Sequence, residues 1–249
     1  LIIMNICIFS TYDNFFLKKL ILKLVKKNNK HNFFFYFVSD YNSLNNIFVK
    51  ACSLGFINSL YFFLKSLILD LFKKNLLSFL DKNLILKKDA KEIDINKFLI
   101  KNKIDLILSI NYPKYITKKN LKICRYGGIN HHLGKLPDYK GRYPVARAIL
   151  NNDKKIFVTV HYMDDKIDNG KVILSTPIII TNYKKDFIKV YDLIFKKSEK
   201  IISDSLNYVF YFSKKKVINI KKNKKNYFYC KKLSLDKLLK LYLLKIFSI

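Results

Sequence analysis

The chain has 249 residues, half of them hydrophobic, and its 48 lysines and arginines outweigh 18 acidic residues to give a formal net charge of +30. This length and hydrophobic content exclude a disordered chain, because there is enough apolar material for a substantial core. The charge is compatible with an anionic partner such as a nucleic acid, a membrane surface or a phosphorylated substrate. An abundance of Lys, Asn, Ile, Leu, Phe and Tyr without any Trp is also what an A/T-rich genome produces, and we favour this origin for the bulk of the charge.

The predicted strands and helices alternate along the chain. The strands are expected at residues 2–10, 33–38, 104–110, 127–131, 156–163 and 172–180, and the helices at 14–27, 94–102, 144–150 and 186–212, with one or two more within 43–80. This alternation indicates an α/β domain with a central, mostly parallel sheet and flanking helices, in a Rossmann-like arrangement.

The C-terminal end differs in composition from the rest. From residue 214 onward there are twelve lysines and one acidic residue, with a further apolar pattern at 233–246. We therefore expect two parts, a main domain over residues 1–212 and a short, basic, helical appendage over 213–249.

Cysteine spacing and apolar stretches indicate a cytoplasmic protein. The four cysteines are far apart and form no CxxC pair, so neither a zinc site nor a disulfide framework is expected. The longest apolar stretch, residues 56–72, is short for a membrane span and contains two charges. It predicts an amphipathic helix packed on the domain, with a helix on a membrane surface as the alternative. The N-terminal residues lack the basic region and cleavage site of a signal peptide.

One window departs from the biased composition. All four prolines, five of six glycines and all three arginines lie between residues 113 and 177. Gly and Pro specify backbone shapes that other residues do not easily adopt. We therefore expect the functional site in this window.

Three polar residues in this window suit chemistry at a carbonyl group. Asn130 and His132 alternate on a predicted strand, so both side chains leave the same face, and Asp168 lies in a sharp connection before Gly170. An amide donor, an imidazole and a carboxylate together can stabilise an oxyanion and move protons. A buried histidine and a turn-forming aspartate are the structural alternative. His131 should point behind the strand, and we expect His161 to be structural.

The order of motifs resembles the folate-dependent formyltransferases over about residues 104–180. The shared signature is Asn-x-His, a loop ending in Leu-Pro, an aromatic-basic-Gly turn, a helix, a strand and Asp-x-Gly. Here it reads Asn130-His131-His132, Leu136-Pro137, Tyr139-Lys140-Gly141, a helix from Pro144, Val158-Thr159-Val160 and Asp168-Asn169-Gly170. The resemblance implies the formyltransferase fold.

The resemblance also implies a reaction and the residues that perform it. A primary amine would take the formyl group of 10-formyltetrahydrofolate through a tetrahedral intermediate, with no metal. Asn130 would donate to the formyl oxygen, His132 would stabilise the developing charge and move the amine proton, and Asp168 would hold His132 and assist proton transfer. By the same analogy the folate pocket would include Tyr112, Pro113, Ile116 and Asp164. The candidate substrate-binding side chains are Lys135, Tyr139, Lys140 and Arg142.

The expected acceptor follows from departures from the family pattern. Residues 10–14 lack the glycines of the phosphate loop in the transformylase of purine synthesis, and the segment after residue 212 is shorter than the C-terminal domain of members that formylate methionyl-tRNA. Lys140 also replaces an arginine, which keeps the charge and loses the planar fork. We therefore expect an amino-sugar nucleotide as acceptor. Methionyl-tRNA is the alternative, followed by a formyl-folate hydrolase and a non-catalytic basic binding protein on the same fold.

Overall fold

The computed structural model describes residues 3–11, 16–38, 84–87, 91–181 and 186–212, and six positions between 234 and 243. The strands are β1 (Asn5–Thr11), β2 (Asn32–Val38), β3 (Leu84–Lys87), β4 (Leu106–Ile110), β5 (Gly128–His132), β6 (Lys155–Tyr162) and β7 (Val172–Ile179). The helices described up to residue 212 are α1 (Phe16–Lys27), α2 (Glu92–Lys101), α3 (Lys118–Ile123), α4 (Pro144–Leu150) and α5 (Phe187–Phe212).

The described strands form one sheet in the order β3-β2-β1-β4-β5-β6-β7. Pairing is parallel from β3 to β5, and β6 is antiparallel to both of its neighbours, so it alone among the described strands runs against the others. The expected mostly parallel, Rossmann-like sheet is therefore confirmed. The strand order reverses between β1 and β4, and open α/β sheets bind ligands beyond the carboxyl ends of the strands at such a point. There, Asn111 donates from Nδ2 to Thr11 Oγ1 at 3.0 Å and ties the two strand ends together.

Helices cover both faces of the sheet, which explains why its central strands are apolar throughout. All five residues of β4 are buried. On one face the apolar side chains of α1 and α5, including Leu20, Leu24 and Ile202, pack on the sheet, and on the other face α2 and α3 pack through residues such as Leu99 and Leu121. A parallel sheet covered on both faces needs such continuous hydrophobic strands.

Ten of the predicted elements occur within three residues of their expected positions. Strand β3 and helix α3 were not predicted from the sequence. Helix α3 has six residues and begins with a capping box, in which Thr117 and Asn120 each bond the other's backbone N–H. The predicted helices within 43–80, which include the apolar stretch 56–72, lie outside the described residues, as does most of the predicted basic appendage. Within the described ranges, no helix combines the length and apolar character needed to cross a bilayer.

Candidate active site

Asn130, His132 and Asp168 come together at one place on the sheet. Asn130 and His132 lie on β5, and the loop 163–171 after β6 carries Asp168 back to them. Asn130 Nδ2 donates to Asp168 Oδ1 at 3.3 Å, and His132 Nδ1 lies 3.6 Å from Asp168 Oδ2. The His132 and Asp168 side chains are buried, whereas Asn130 is partly buried. The structure thus brings the three predicted site residues into one cluster.

The turn that carries Asp168 depends on two unusual backbone positions. Asp168 has φ of 51°, a left-handed conformation that aspartate tolerates better than most residues. Gly170 passes so close to the carbonyl group of Tyr162 that a Cβ at this position would collide with it. The Asp-x-Gly spacing is therefore required by the shape of this turn.

A second histidine, His161, joins the cluster. It lies on β6 directly opposite Asn130 in the strand pairing, and its side chain is almost fully buried. Its Nε2 is 3.1 Å from Asn130 Nδ2 and 3.5 Å from Asp168 Oδ1. The sequence analysis assigned His161 a structural role, and the geometry places it in direct contact with two of the three candidate catalytic residues.

Hydrogen-bond partners determine which ring nitrogens carry protons. His132 Nε2 faces the Tyr139 carbonyl oxygen at 2.8 Å, and His161 Nδ1 faces the Tyr162 carbonyl oxygen at 2.7 Å. A carbonyl oxygen only accepts, so both of these nitrogens are donors. In the neutral rings, His161 Nε2 then accepts from Asn130 Nδ2, and His132 Nδ1 presents a lone pair toward Asp168.

The pKa values in the cluster favour a neutral histidine beside a charged aspartate. Burial lowers the pKa of His132, and the nearby Asp168 carboxylate opposes this shift without reversing it. Burial by itself raises the pKa of the Asp168 carboxyl group. When His161 is protonated, its Nε2 can donate to Asp168 Oδ1; this bond, the positive charges of the two protonated histidines and the Gly141 N–H together outweigh burial, so the pKa of Asp168 is lowered. At neutral pH the site holds a carboxylate beside the unprotonated Nδ1 of His132, and a protonated His132 would form an ion pair with it.

The loop between β5 and α4 supplies backbone groups to the same cluster. The Tyr139 carbonyl oxygen holds His132, as described, and the Gly141 N–H donates to Asp168 Oδ2 at 2.8 Å. The bond between Leu136 and Pro137 is cis. Neither backbone contact follows from side-chain type, so sequence reasoning missed both.

The candidate substrate-binding side chains lie around this loop. Lys135 pairs with Asp138 at 2.9 Å, Lys140 Nζ donates to Asn169 Oδ1 at 2.6 Å, and Arg142 is exposed with its guanidinium over the Tyr143 ring. An open cavity of about 540 Å³ lies beyond the loop, lined by Lys135, Asp138, Tyr139, Arg147, Asn151, Asp153, Lys154, Lys155 and Phe157. Lys135 and Tyr139 therefore line a cavity, whereas Lys140 binds a residue next to Asp168.

The candidate folate-binding residues occupy two neighbouring loops. Tyr115 OH donates to the Asp165 carbonyl oxygen at 3.0 Å and joins loop 111–117 to loop 163–171. The Tyr112 ring lies with its centroid 5.2 Å from that of Phe9, tilted by 48°, in the core under α2 and α3, and Ile116 is buried there as well. Asp164 accepts hydrogen bonds from Lys166 N and Asn169 Nδ2, which shape the turn before Asp168. Pro113 is half-exposed between these positions.

His131 points behind the strand, as predicted. Its Nε2 donates to Ser198 Oγ on α5 at 2.9 Å, because the Ser198 hydroxyl proton is donated to the Ile194 carbonyl oxygen. Burial, and then the charge of His132, lowers the pKa of His131 to about 3. It is a neutral core residue and takes no part in the cluster.

The family model described as "Formyl transferase" matches residues 71–206, more than half of the chain. The chain belongs to the formyl transferase family. Formyl transfer is the chemistry of this family, and the matched range contains the whole cluster. Among the described residues, no group of three or more His, Cys, Asp or Glu side chains is arranged to hold a metal ion.

Individual relatives support this assignment. The chain is 40% identical over 76 residues to the methionyl-tRNA formyltransferase of Alkaliphilus metalliredigens, which is 30% of this chain and 24% of that protein. It is 29% identical over 150 residues to the methionyl-tRNA formyltransferase of Buchnera aphidicola, which is 59% of this chain and 45% of the relative. The chain thus spans less than half the length of these relatives.

Solved structures show the same fold. A sugar N-formyltransferase from a Shewanella species superposes with a TM-score of 0.61 and 19% identity, covering 96% of this chain and 87% of the other. Glycinamide ribonucleotide transformylase 1 from Symbiobacterium toebii superposes with a TM-score of 0.61 and 13% identity, covering 88% and 92%. At these sequence identities the superpositions show that the fold is shared and nothing further.

Proposed function

We propose that this chain transfers the formyl group of 10-formyltetrahydrofolate to a primary amine at the cluster of Asn130, His132 and Asp168. One observation carries the proposal: the partly buried carboxamide of Asn130 is held next to a buried imidazole and a buried carboxyl group, and the lowered pKa values of both favour the neutral imidazole and the carboxylate. Such a group of residues can bind a developing oxyanion and receive the proton of an attacking amine.

The residues present suit a formyl donor. When bound, the donor supplies a carbonyl carbon that an amine can attack. Both N–H groups of the Asn130 carboxamide are engaged, with His161 Nε2 at 3.1 Å and with Asp168 Oδ1 at 3.3 Å. The contact with Asp168 is long for a hydrogen bond. We expect this N–H to turn toward the formyl oxygen, while His161 keeps the carboxamide in orientation.

The proton of the amine passes to the His132–Asp168 pair. The Nδ1 lone pair of His132 faces Asp168 Oδ2 at 3.6 Å, so a proton received there converts the pair into an ion pair. Because Nε2–H is already donated to the Tyr139 carbonyl oxygen, the ring does not need to rotate to accept it. The resulting imidazolium adds positive charge close to the oxyanion. When the bond between the formyl carbon and the folate nitrogen breaks, the same proton can pass to that nitrogen, so that a formamide and tetrahydrofolate are released and His132 is neutral again.

For the acceptor, we propose an amino-sugar nucleotide. The cavity of about 540 Å³ beside the loop is of the size that encloses a small-molecule ligand, and its lining includes two aromatic rings, two aspartates and the cationic side chains of Lys135, Lys154 and Lys155. Bases stack on aromatic rings, and phosphates bind lysine and arginine. The second candidate is methionyl-tRNA, since two relatives that are 40% identical over 76 residues bear the name methionyl-tRNA formyltransferase.

The experiment incubates the purified chain with 10-formyltetrahydrofolate and one of three additions: a panel of amino-sugar nucleotides, initiator methionyl-tRNA, or buffer alone. Release of tetrahydrofolate and the mass of the acceptor are measured. Formylation of a sugar nucleotide supports the proposal, and formylation of the tRNA alone selects the second candidate. For tRNA, binding should weaken steeply with salt because counterions are released.

Two further outcomes contradict formyl transfer to an amine. Release of tetrahydrofolate in buffer alone, unchanged by any acceptor, identifies a hydrolase. No release under any condition, from protein that is shown to be folded, leaves the non-catalytic binding protein. An Asp168→Asn variant should lose the activity, and Asp165→Asn, a change at an exposed position in the same loop, is the matched control.

A further inference from the structure

The peptide group between Lys140 and Gly141 is held from both sides. Its N–H, on Gly141, donates to Asp168 Oδ2 at 2.8 Å. Its carbonyl oxygen, on Lys140, accepts from a guanidinium nitrogen (Nη1) of Arg147 at 2.7 Å. One planar unit therefore links a cation on α4 to the carboxylate of the candidate active site.

We propose that Arg147 is a positioning residue, which orients this peptide group and through it sets the charge and position of Asp168. The proposal rests on the proposed function of the cluster. Arg147 lies outside the set of side chains that contact the reacting groups in that proposal.

The peptide group needs an external restraint because of its neighbour. Gly141 has φ of 89°, a conformation that glycine adopts as readily as its mirror image, so the preceding peptide can rotate at little cost. A rotated peptide would direct its carbonyl oxygen toward the Asp168 carboxylate and remove the N–H bond. The bond from Arg147 to the carbonyl oxygen opposes this rotation.

Arg147 is itself anchored. Its guanidinium lies over the Tyr139 ring, 5.2 Å from the centroid, and the Tyr139 hydroxyl bonds Asp153 at 2.5 Å and Asn151 at 3.0 Å. The planar guanidinium can stack on the ring and donate at its edge at the same time, which an ammonium group cannot do. The loop is thus attached to α4 and to the residues after it by contacts that meet at Arg147 and Tyr139.

Arg147 also strengthens the bond to Asp168. A charged donor on the carbonyl oxygen polarises the peptide group and makes its N–H a better donor. The carbonyl oxygen of Tyr139, one peptide earlier, holds Nε2–H of His132. Restraint of this short segment therefore reaches both members of the His132–Asp168 pair.

The test compares Arg147→Gln and Arg147→Lys with Arg125→Gln. Arg125 is the matched control because its guanidinium also lies 5.2 Å from a tyrosine ring, that of Tyr126, at an exposed position outside the cluster. We expect Arg147→Gln to lower kcat about tenfold to a hundredfold, as for other residues that orient a functional group, with little change in KM. Arg147→Lys should recover part of the loss, and Arg125→Gln should match the wild-type protein.

The pH profile separates positioning from a merely structural role. Because the Gly141 N–H helps to lower the pKa of Asp168, its loss should raise that pKa and move the acid limb of kcat to higher pH. Gly141→Ala strains the same peptide from its other side and should move the limb in the same direction. The double variant should lose no more activity than the more affected single variant, since both act on one bond.

A direct titration of the Asp168 carboxyl group by ¹³C NMR keeps the proposal testable if wild-type protein shows no formyl transfer. A higher pKa in Arg147→Gln supports the proposal even when the proposed function has failed. An unchanged titration of Asp168 overturns it. The proposal is also overturned if activity falls only in proportion to the amount of folded protein while the acid limb of kcat stays at its wild-type pH.

Discussion

Replacement of Asp168 by asparagine changes the cluster with almost no change in shape. The carboxylate accepts from Gly141 N at 2.8 Å and from Asn130 Nδ2 at 3.3 Å. Asparagine keeps one oxygen for Gly141, but its NH₂ group then faces the NH₂ group of Asn130, and one charge-assisted hydrogen bond becomes a contact between two donors. A hydrogen bond to a charged group contributes about 1.5–3 kcal/mol. We expect a loss of this size in the free energy of unfolding at neutral pH.

The effect on activity should be larger, because asparagine carries no negative charge to stabilise the imidazolium that forms when His132 receives the proton. Loss of a positioned proton acceptor costs about 10²–10⁴ in rate. Release of tetrahydrofolate measures this loss in Asp168→Asn. The exposed Asp165→Asn, three residues earlier, should retain wild-type activity and stability.

The stability difference should also depend on pH in a defined direction. The pKa of Asp168 is lower in the folded chain than the ordinary aspartate value of about 3.9, so its contribution is present above that value and is lost as the pH falls through the folded pKa. Urea denaturation at pH 7 and near pH 3 should therefore give a smaller difference between wild type and Asp168→Asn at the lower pH. A difference that stays constant, or activity within threefold of wild type, would refute the reasoning.

Three further predictions concern the surroundings of the cluster. Gly134→Ala would place a Cβ 3.0 Å from Nε2 of His132 and 2.7 Å from a proline side chain, so we expect a lower melting temperature, about 1–3 kcal/mol of lost stability and reduced activity. His131→Gln should be less sensitive to acid than wild type. The folded wild-type protein excludes a proton that the unfolded chain binds below about pH 6.5, which costs about 2 kcal/mol at pH 5, and denaturation at pH 7 and pH 5 measures this. Burial raises the pKa of Cys7 and raises that of Cys124 to about 12. Mass spectrometry should therefore show both thiols alkylated in urea and protected in the native protein.

The sheet could be predicted from the sequence because most of its strands have a clear hydrophobic pattern. A strand such as Leu106–Ile110, buried on both faces, is a continuous apolar run, and helix α4 begins with a proline at a position where proline is favoured. Strand β3 and helix α3 were missed because four to six residues are too few for a periodic pattern. The cap of α3 uses Asn120 in place of the Glu or Gln that marks a capping box in sequence.

For the site, alternation on β5 correctly predicted that Asn130 and His132 share a face and that His131 points away. The contribution of His161 was out of reach, since its place beside Asn130 depends on the pairing of β6 with β5. The contacts from Tyr139 and Gly141 were out of reach for another reason. They use backbone groups, which are common to all residue types. The direction of such a group depends on the conformation of the loop, which the sequence pattern does not give.

The reversal of β6 has a consequence for folding fidelity. Because Asn130 and His161 are direct cross-strand partners, a slip of β6 by one residue would set Asn130 against Val160 or Tyr162 and turn His161 to the opposite side of the sheet. The amide and the imidazole would then lose each other as hydrogen-bond partners. Apolar contacts elsewhere on the strand would not distinguish the two registers in this way. The contact between Asn130 and His161 therefore favours the native register of β6. A molecule that reaches this register has also assembled its candidate site.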